Sequence, residues 1–351
     1  MNKQNEQLLT RLFNLNLIQE LPPSTGRSEP PWYLKALLAF TGWLAALFLL
    51  LSVVLGIGLE VILSNTVIIL LIGMAFMGGA LIMFFTITGD FFEHLALVLS
   101  LAGQVLTIFA LVDIFEISPW SATVLLEIAL IIIMPDFIHC VLSTLFAAIA
   151  MIFLLQYIFL CSIILFMAAW VWLNEFKFPK ISKKMRAAGY GLILALISLK
   201  FFISIPQLLE LLSYADNIIY SVSLYWSAEF ITLAAALYVV LKLLKRHCIP
   251  FHGRGGILAI AVTLLLCAVS LKALGISYGI VIILLGFSAS NRVLLGMGII
   301  SLLIYMSYYY YLLDTTLLVK AQILFITGII LLTGRWIMGC ILSGREEIID
   351  V

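Results

Sequence analysis

Apolar runs long enough to cross a lipid bilayer recur along almost the whole chain. A transmembrane helix needs ~20 consecutive apolar residues, and the stretch 293–313 supplies such a run between Arg292 and Asp314. Of all residues 64% are hydrophobic and 11% are charged, whereas a soluble domain averages roughly 25% charged residues. One water-exposed core cannot bury so much apolar side chain. The sequence therefore predicts an all-α fold, a polytopic transmembrane helical bundle with short loops.

Composition and motifs also exclude several classes of function. The net charge of +1 argues against a nucleic-acid partner, and no part of the sequence resembles a basic groove with interleaved aromatic residues. The glycines of 253–256 do not form a dinucleotide fingerprint, because no strand precedes them. His139-Cys140 and His247-Cys248 offer too few ligands in one element for a metal site. We therefore expect no cofactor, no metal and no catalytic residue, and the five cysteines do not predict a disulfide framework.

The chain divides into three segments. Residues 1–31 combine an amphipathic helix over 5–20 with a proline-rich linker, and we expect both in the cytoplasm. That helix either docks on the bundle or membrane surface, or recruits a soluble partner. Residues 32–340 form the transmembrane domain and 341–351 a cytoplasmic tail. No apolar core of the signal-peptide type precedes the first span, so that span is predicted to act as an uncleaved anchor.

The apolar pattern predicts about twelve spans, although the continuous apolar mass over 120–173 could be divided differently. The predicted spans are 33–57, 66–88, 92–112, 120–134, 137–154, 156–173, 187–205, 225–244, 255–271, 275–289, 293–313 and a twelfth that begins at Asp314.

The distribution of lysine and arginine predicts the orientation. With twelve alternating spans, sixteen of the nineteen Lys and Arg residues fall on one side, and short cytoplasmic loops are the ones enriched in these residues. Both termini are therefore predicted to be cytoplasmic. The longest outer loop, 206–224, contains neither residue type and resembles an amphipathic segment at the outer interface.

Glu127 is the most costly residue, because it lies midway along the short fourth span. An ionised side chain at the bilayer centre costs a few kcal/mol. The carboxyl group is therefore either protonated or paired, and Gln104 is one candidate partner. It is either a proton or cation site, or a neutral group that hydrogen-bonds to a neighbouring helix.

A second group of charged residues lies near the outer ends of predicted spans. Either the lysines extend back to the headgroups beside a structural ion pair, or the group lines an outward-facing vestibule for an anionic substrate. Its members are Lys200, Glu229, Lys272, Asp314 and Lys320.

Small residues at helical spacing suggest close contacts between helices. Close packing is their usual role in membranes, and interrupted helices of the transporter kind are the alternative. The residues are Gly73, Gly78, Gly79, Ala187, Gly191, Gly275 and Gly279.

The corner between the last two spans carries a family resemblance. The stretch NRVLLGMGIISLLIYMSYYYYLLDTTLLVKAQ contains Asn291, Arg292, Tyr308, Tyr309, Tyr310, Tyr311 and Thr316. It resembles the signature of an uncharacterised family of bacterial polytopic inner-membrane proteins, a domain of unknown function. The resemblance implies a multi-pass protein of the bacterial inner membrane, encoded near membrane-anchored proteins with a GDYxxLxY motif. The tyrosines themselves are typical of an interfacial aromatic belt.

The sequence leaves three interpretations of function open. The favoured interpretation is a non-catalytic membrane partner or scaffold for another membrane-anchored envelope protein, because the loops are very short and interfacial aromatic residues are many. The alternative is a secondary transporter or channel-like protein that uses the intramembrane carboxyl of Glu127. An intramembrane lipid-modifying enzyme would need Asp, His or Glu clustered at one interface, and here such residues are scattered. Besides the bilayer and such an envelope protein, no partner is predicted.

Overall fold

The computed structural model describes residues 31–58, 65–87, 89–155, 159–203, 222–270 and 276–312, with a few isolated positions up to 332. Every regular element in these ranges is helical. The predicted helix over 5–20, most of the outer loop 206–224, the cytoplasmic tail and most of the twelfth span lie outside the described residues.

The described ranges contain eleven α-helices, and each overlaps one of the segments predicted as the first eleven spans. They are α1 (Trp32–Ile57), α2 (Thr66–Thr86), α3 (Asp90–Phe115), α4 (Pro119–Ile133), α5 (Phe137–Leu155), α6 (Leu160–Asn174), α7 (Ser182–Ile203), α8 (Val222–Arg246), α9 (Arg254–Ser270), α10 (Ile276–Ser288) and α11 (Arg292–Leu312). Two 3₁₀ turns, Glu175–Lys177 and Pro179–Ile181, connect α6 to α7.

Length and apolar composition qualify six segments as candidate membrane spans: α1, α2, α3, α5, α8, and α6 together with the 3₁₀ turn that continues it to Lys177. Three others, α4, α9 and α10, are apolar but shorter, and so is the part of α11 with described side chains, Arg292–Ser307. The chain is thus an all-α membrane protein.

Local sequence explains where the short helix α4 begins and ends. The Ser118 hydroxyl accepts a hydrogen bond from the backbone N–H of Trp120 at 3.3 Å, and Pro119 occupies the first helical position, where its missing N–H costs nothing. At the other end, Pro135 disfavours a helical conformation for Met134. The helix is therefore limited to 15 residues, as predicted.

A three-residue corner joins α10 to α11. Ser290 adopts a left-handed conformation with φ of 51°, and the N–H of Asn291 bonds to the carbonyl of Gly286 at 2.9 Å, as in a Schellman-type helix end. Asn291 Oδ1 then accepts from the N–H groups of Val293 and Leu294 at 3.1 and 3.2 Å. Helix α11 therefore begins at Arg292, one residue before the start of the predicted span 293–313.

The described residues fall into two compact units, one up to Ile117 and the other from Ser118 onward. In the first unit, α3 packs against both α1 and α2. Gly73 and Gly103 allow the closest approach, because a Cβ on Gly73 would lie 2.9 Å from the carbonyl oxygen of Gly103.

The second unit contains α4 to α11. Helix α5 packs against α4 and α7, α6 against α7 and α8, and α10 against α11. Its core is apolar, and the buried side chains include Leu165, Ile193, Leu196, Val239, Ile282 and Leu285.

Close packing is confirmed for some of the predicted small residues. Besides Gly73, a Cβ on Gly191 would meet the backbone of Val141, and one on Gly279 would meet Leu302. Among the described residues, no atom lies within 4 Å of a Cβ placed on Gly78 or Gly79, so the structure does not show close packing for this pair. Helix α2 runs unbroken through all three of its glycines, so the interrupted-helix alternative is wrong there.

Candidate functional site

Glu127 lies where α4 and α5 pack together as a helical hairpin. Its side chain is 1% exposed. Glu127 stands six residues before the end of α4, and Ser143 stands six residues after the start of α5. Because the hairpin is antiparallel, the two residues meet at the same level, ~9 Å from the connecting turn at 1.5 Å per residue. His139 lies one helical turn closer to the turn, on the same face of α5 as Ser143.

These three side chains form a hydrogen-bonded group, the Glu127–Ser143–His139 cluster. The Ser143 side chain is hydrogen-bonded to the Glu127 carboxyl group, and Ser143 Oγ lies 3.3 Å from His139 Nδ1. A hydroxyl group has one donor and two acceptor positions, so it can serve both neighbours. Ser143 and His139 are each 1% exposed. The cluster is thus a polar group enclosed within the helices.

One atom of the cluster is not satisfied. Glu127 Oε2 is buried and has no hydrogen-bond partner within the described part of the chain. Leaving a buried polar atom unpaired costs ~1–3 kcal/mol, and an ionised carboxylate in apolar surroundings costs more. The unpaired oxygen is thus an energetic cost that the described residues do not offset.

The turn of the hairpin joins the cluster to a polar end of the unit. Asp136 Oδ2 accepts from the backbone N–H of His139 at 2.8 Å. Lys184 Nζ donates to the carbonyl of Ile131 at 3.3 Å and also to that of Ile132, which are at the last turn of α4. Polar groups therefore extend from the turn, through His139 and Ser143, to Glu127.

The arrangement differs from a hydrolytic triad. In such a triad the carboxylate holds the histidine, which takes the proton of the serine. Here the carboxyl group contacts the serine directly. The geometry fits a chain of proton donors and acceptors better than an activated nucleophile.

A second buried polar group joins α6, α8 and α10. Ser162 Oγ lies 2.7 Å from Tyr278 Oη and accepts from Thr232 Oγ1 at 3.0 Å. Next to it, a cavity of about 180 Å³ is lined by Trp226, Glu229, Thr232 and Cys267 together with apolar residues. Glu229, predicted near an outer helix end, therefore lies in the wall of an apolar cavity close to the three hydroxyl groups.

One end of the second unit gathers many basic and amide side chains, and we call it the basic end. Glu175 is 4% exposed and accepts two hydrogen bonds from Arg186, at 3.1 and 3.2 Å. Lys242 Nζ donates to Asn174 Oδ1 at 2.6 Å. Arg246 Nη1 donates to the carbonyl of Ser288 at 2.9 Å. With Lys184, these contacts bring together the ends of α4, α6, α8 and α10 and the start of α7.

The start of α11 lies at the same end. Asn291 Nδ2 donates to Tyr190 Oη at 2.6 Å. The Tyr190 ring packs edge-on against Trp172, with the two centroids 5.0 Å apart, and against Phe137 at 6.0 Å. Asn291, predicted as part of the family signature, therefore binds the helix pair α10–α11 to the rest of the unit.

The remaining predicted residues are only partly described. Gln104 is buried at 3% exposure but belongs to the first unit, so its pairing with Glu127 stays a prediction. Arg292 is exposed at the start of α11. The following lie outside the described side chains: Lys200, Lys272, Tyr308, Tyr309, Tyr310, Tyr311, Asp314, Thr316 and Lys320.

Sequence reasoning missed Ser143 and His139 as partners of Glu127. It considered His139 and Cys140 only as possible metal ligands, whereas each is buried at 1% exposure. The available signal was the spacing of His139 and Ser143, which are four residues apart and so share a helix face.

Long apolar helices that enclose small polar clusters define a polytopic integral membrane protein. The comparison with known families is specific: residues 31–339 match the domain of unknown function DUF4401. The chain belongs to this family, which confirms the resemblance to an uncharacterised family. No curated protein and no solved structure shows significant similarity to the chain.

Proposed function

We propose that this chain is a non-enzymatic, twelve-span protein of the bacterial inner membrane, with both termini in the cytoplasm, that binds and moves a proton or small cation at Glu127. The role is that of a secondary transporter or channel-like protein. The observation that supports it is the buried Glu127 Oε2, which lacks a hydrogen-bond partner among the described residues.

A purely structural carboxyl group would satisfy both oxygens, as most buried polar atoms do. Glu127 satisfies one through Ser143. Ionisable residues within membrane spans commonly mark proton and ion pathways. The His139 ring and the Ser143 hydroxyl extend the pathway from Glu127 toward the hairpin turn.

The proposed orientation of the protein in the membrane is based on the lysine and arginine residues of the basic end. Lys184, Lys242 and Arg246 all bond to helix ends there, and lysine and arginine are enriched on the cytoplasmic side of membrane proteins. In this orientation Glu127 is reached from the cytoplasm, through the turn that contains Asp136.

Reconstituted vesicles test the proposal. With an internal pH dye and an imposed potential, negative inside, vesicles with wild-type protein should acidify faster than vesicles with Glu127→Gln. Glutamine keeps the shape of the side chain but does not exchange a proton. Glu116→Gln is the matched control, because Glu116 is an exposed acid just after α3, and it should keep the wild-type rate. Equal acidification by folded wild-type and Glu127→Gln protein would contradict the proposal.

A second proposal is the non-catalytic partner role toward a membrane-anchored envelope protein. The observation that favours it is the exposed apolar side of α1, whose Phe40, Phe48 and Leu55 are 65%, 61% and 74% exposed. Aromatic surface of this kind suits a partner helix as well as lipid. A photo-crosslinking residue at position 48 should capture one membrane protein in stoichiometric yield, and one at the buried Leu165 should not. Capture of lipid alone at position 48 would contradict this role.

A further inference from the structure

A cavity of about 680 Å³ opens between α5, α7 and α11 at the basic end. Its size is within the range of small-molecule sites, ~300–1,000 Å³. The lining has two chemically different parts. Ser182, Lys183 and Arg186 line one part, and apolar side chains line the other, among them Ile138, Val141, Leu194 and Met297.

The polar part favours an anion. None of the described lining residues is acidic. Arg186 uses Nε and Nη2 for Glu175, which leaves Nη1 for another acceptor, and its side chain remains 48% exposed. Lys183 is exposed beside it and adds a positive charge that the Glu175–Arg186 pair does not offset.

A hydroxyl group lies in the same cavity wall. Tyr190 Oη accepts from Asn291 Nδ2, so its own proton is directed to a different acceptor. The side-chain amide of Asn291 cannot flip, because its Oδ1 accepts hydrogen bonds from two backbone N–H groups of α11. The hydroxyl is therefore held in one position by the cap of a neighbouring helix.

The apolar part of the cavity lining extends too far to be covered by a free anion. Leu194 follows Ser182 by twelve residues on α7, a distance of ~18 Å along the helix axis. An inorganic phosphate would fill the polar part and leave the apolar wall uncovered. A molecule with an anionic head and a hydrocarbon chain covers both parts, and basic pockets between transmembrane helices are typical sites for anionic headgroups.

We propose that this cavity binds one anionic phospholipid, with its phosphate at Lys183, Arg186 and Tyr190 and an acyl chain along Val141, Leu194 and Met297. The lipid holds α5, α7 and α11 together at the basic end. The site is separate from proton binding at Glu127 and does not depend on it.

Native mass spectrometry of the full-length protein in detergent, titrated with phosphatidylglycerol, tests the proposal. Wild-type protein should retain one phosphatidylglycerol in preference to phosphatidylcholine. Lys183→Gln should weaken retention about fivefold, the effect of one lost cation at a membrane surface. Lys177→Gln, an exposed lysine at the same end but outside the cavity, should leave it unchanged. Leu194→Trp should also weaken retention, because the indole occupies the space of the chain.

Three outcomes would overturn the proposal. Equal retention of phosphatidylcholine would remove the headgroup selectivity. Unchanged retention in folded Lys183→Gln and Leu194→Trp proteins would place the lipid elsewhere. If inorganic phosphate raises the melting temperature as much as phosphatidylglycerol does, the cavity is a free-anion site. Melting curves of each variant without lipid show which proteins are folded. Tyr190→Phe removes only one oxygen atom, and it replaces any variant that does not fold.

Discussion

Asn291 and Tyr190 are joined by a 2.6 Å hydrogen bond that links α11 to α7. The same amide caps α11 through its oxygen, so one side chain both starts a helix and attaches it to its neighbour. We expect Asn291→Ala to lose the cap, ~1 kcal/mol, and the hydrogen bond, ~1 kcal/mol.

Tyr190→Phe separates the two effects, because it removes the hydrogen bond and keeps the cap. Its free energy of unfolding in detergent should fall by about half as much as that of Asn291→Ala. Equal losses in the two variants would show that the cap contributes nothing.

Substitution of Glu127 tests the buried cluster. Glu127→Gln should keep the hydrogen bond to Ser143 and unfold near the wild-type temperature. Glu127→Leu leaves the Ser143 hydroxyl with one partner fewer and should lose ~1–3 kcal/mol. The double variant Glu127→Leu with Ser143→Ala should recover part of that loss, and an additive loss would argue against direct coupling.

Two glycines with different surroundings predict changes in stability of opposite sign when each is replaced by alanine. A Cβ on Gly286 would lie 2.5 Å from the backbone N of Leu295, so Gly286→Ala should destabilise the α10–α11 pair by ~1–3 kcal/mol. A Cβ on Gly78 meets nothing within 4 Å, so Gly78→Ala should stabilise α2 by ~0.5–1 kcal/mol. Melting temperatures in detergent measure both, and two shifts of the same sign would be inconsistent with this packing.

The Glu175–Arg186 pair should be worth less than a fully buried ion pair. Glu175 is 4% exposed while Arg186 is 48% exposed, so water screens the arginine. A double-mutant cycle with Glu175→Gln and Arg186→Gln should give a coupling energy of ~1 kcal/mol. A coupling energy of ~3 kcal/mol or more would mean that water does not reach the ion pair in the membrane.

Cysteine labelling tests the proposed orientation. On a cysteine-free background, a cysteine at Glu116 should react with an impermeant reagent in sealed cells. A cysteine at Lys183 should react only after the membrane is opened. Labelling at position 183 in sealed cells would invalidate the assignment of the basic end to the cytoplasm.

Some features followed from the sequence because a single residue determines them. Pro119 and Pro135 bracket α4, and Asn291 starts α11, so these boundaries were predicted closely. The neighbours of Glu127 were not, because helices that are apolar on every side do not indicate which face meets which helix. Ser143 is recognised as a partner of Glu127 only from the pairing of α4 and α5 as a hairpin. Gly78 and Gly191 look alike in sequence, and only the fold distinguishes their surroundings.

The length of α4 also bears on the surrounding lipid. Its 15 residues span ~22 Å at 1.5 Å per residue, against a hydrocarbon thickness of ~30 Å. Leu125 and Ile132 are 68% and 70% exposed, so we expect lipid chains to shorten or tilt beside them. Such hydrophobic mismatch thins the bilayer locally and brings water nearer to Glu127. Proton access to Glu127 should therefore be faster in short-chain than in long-chain membranes.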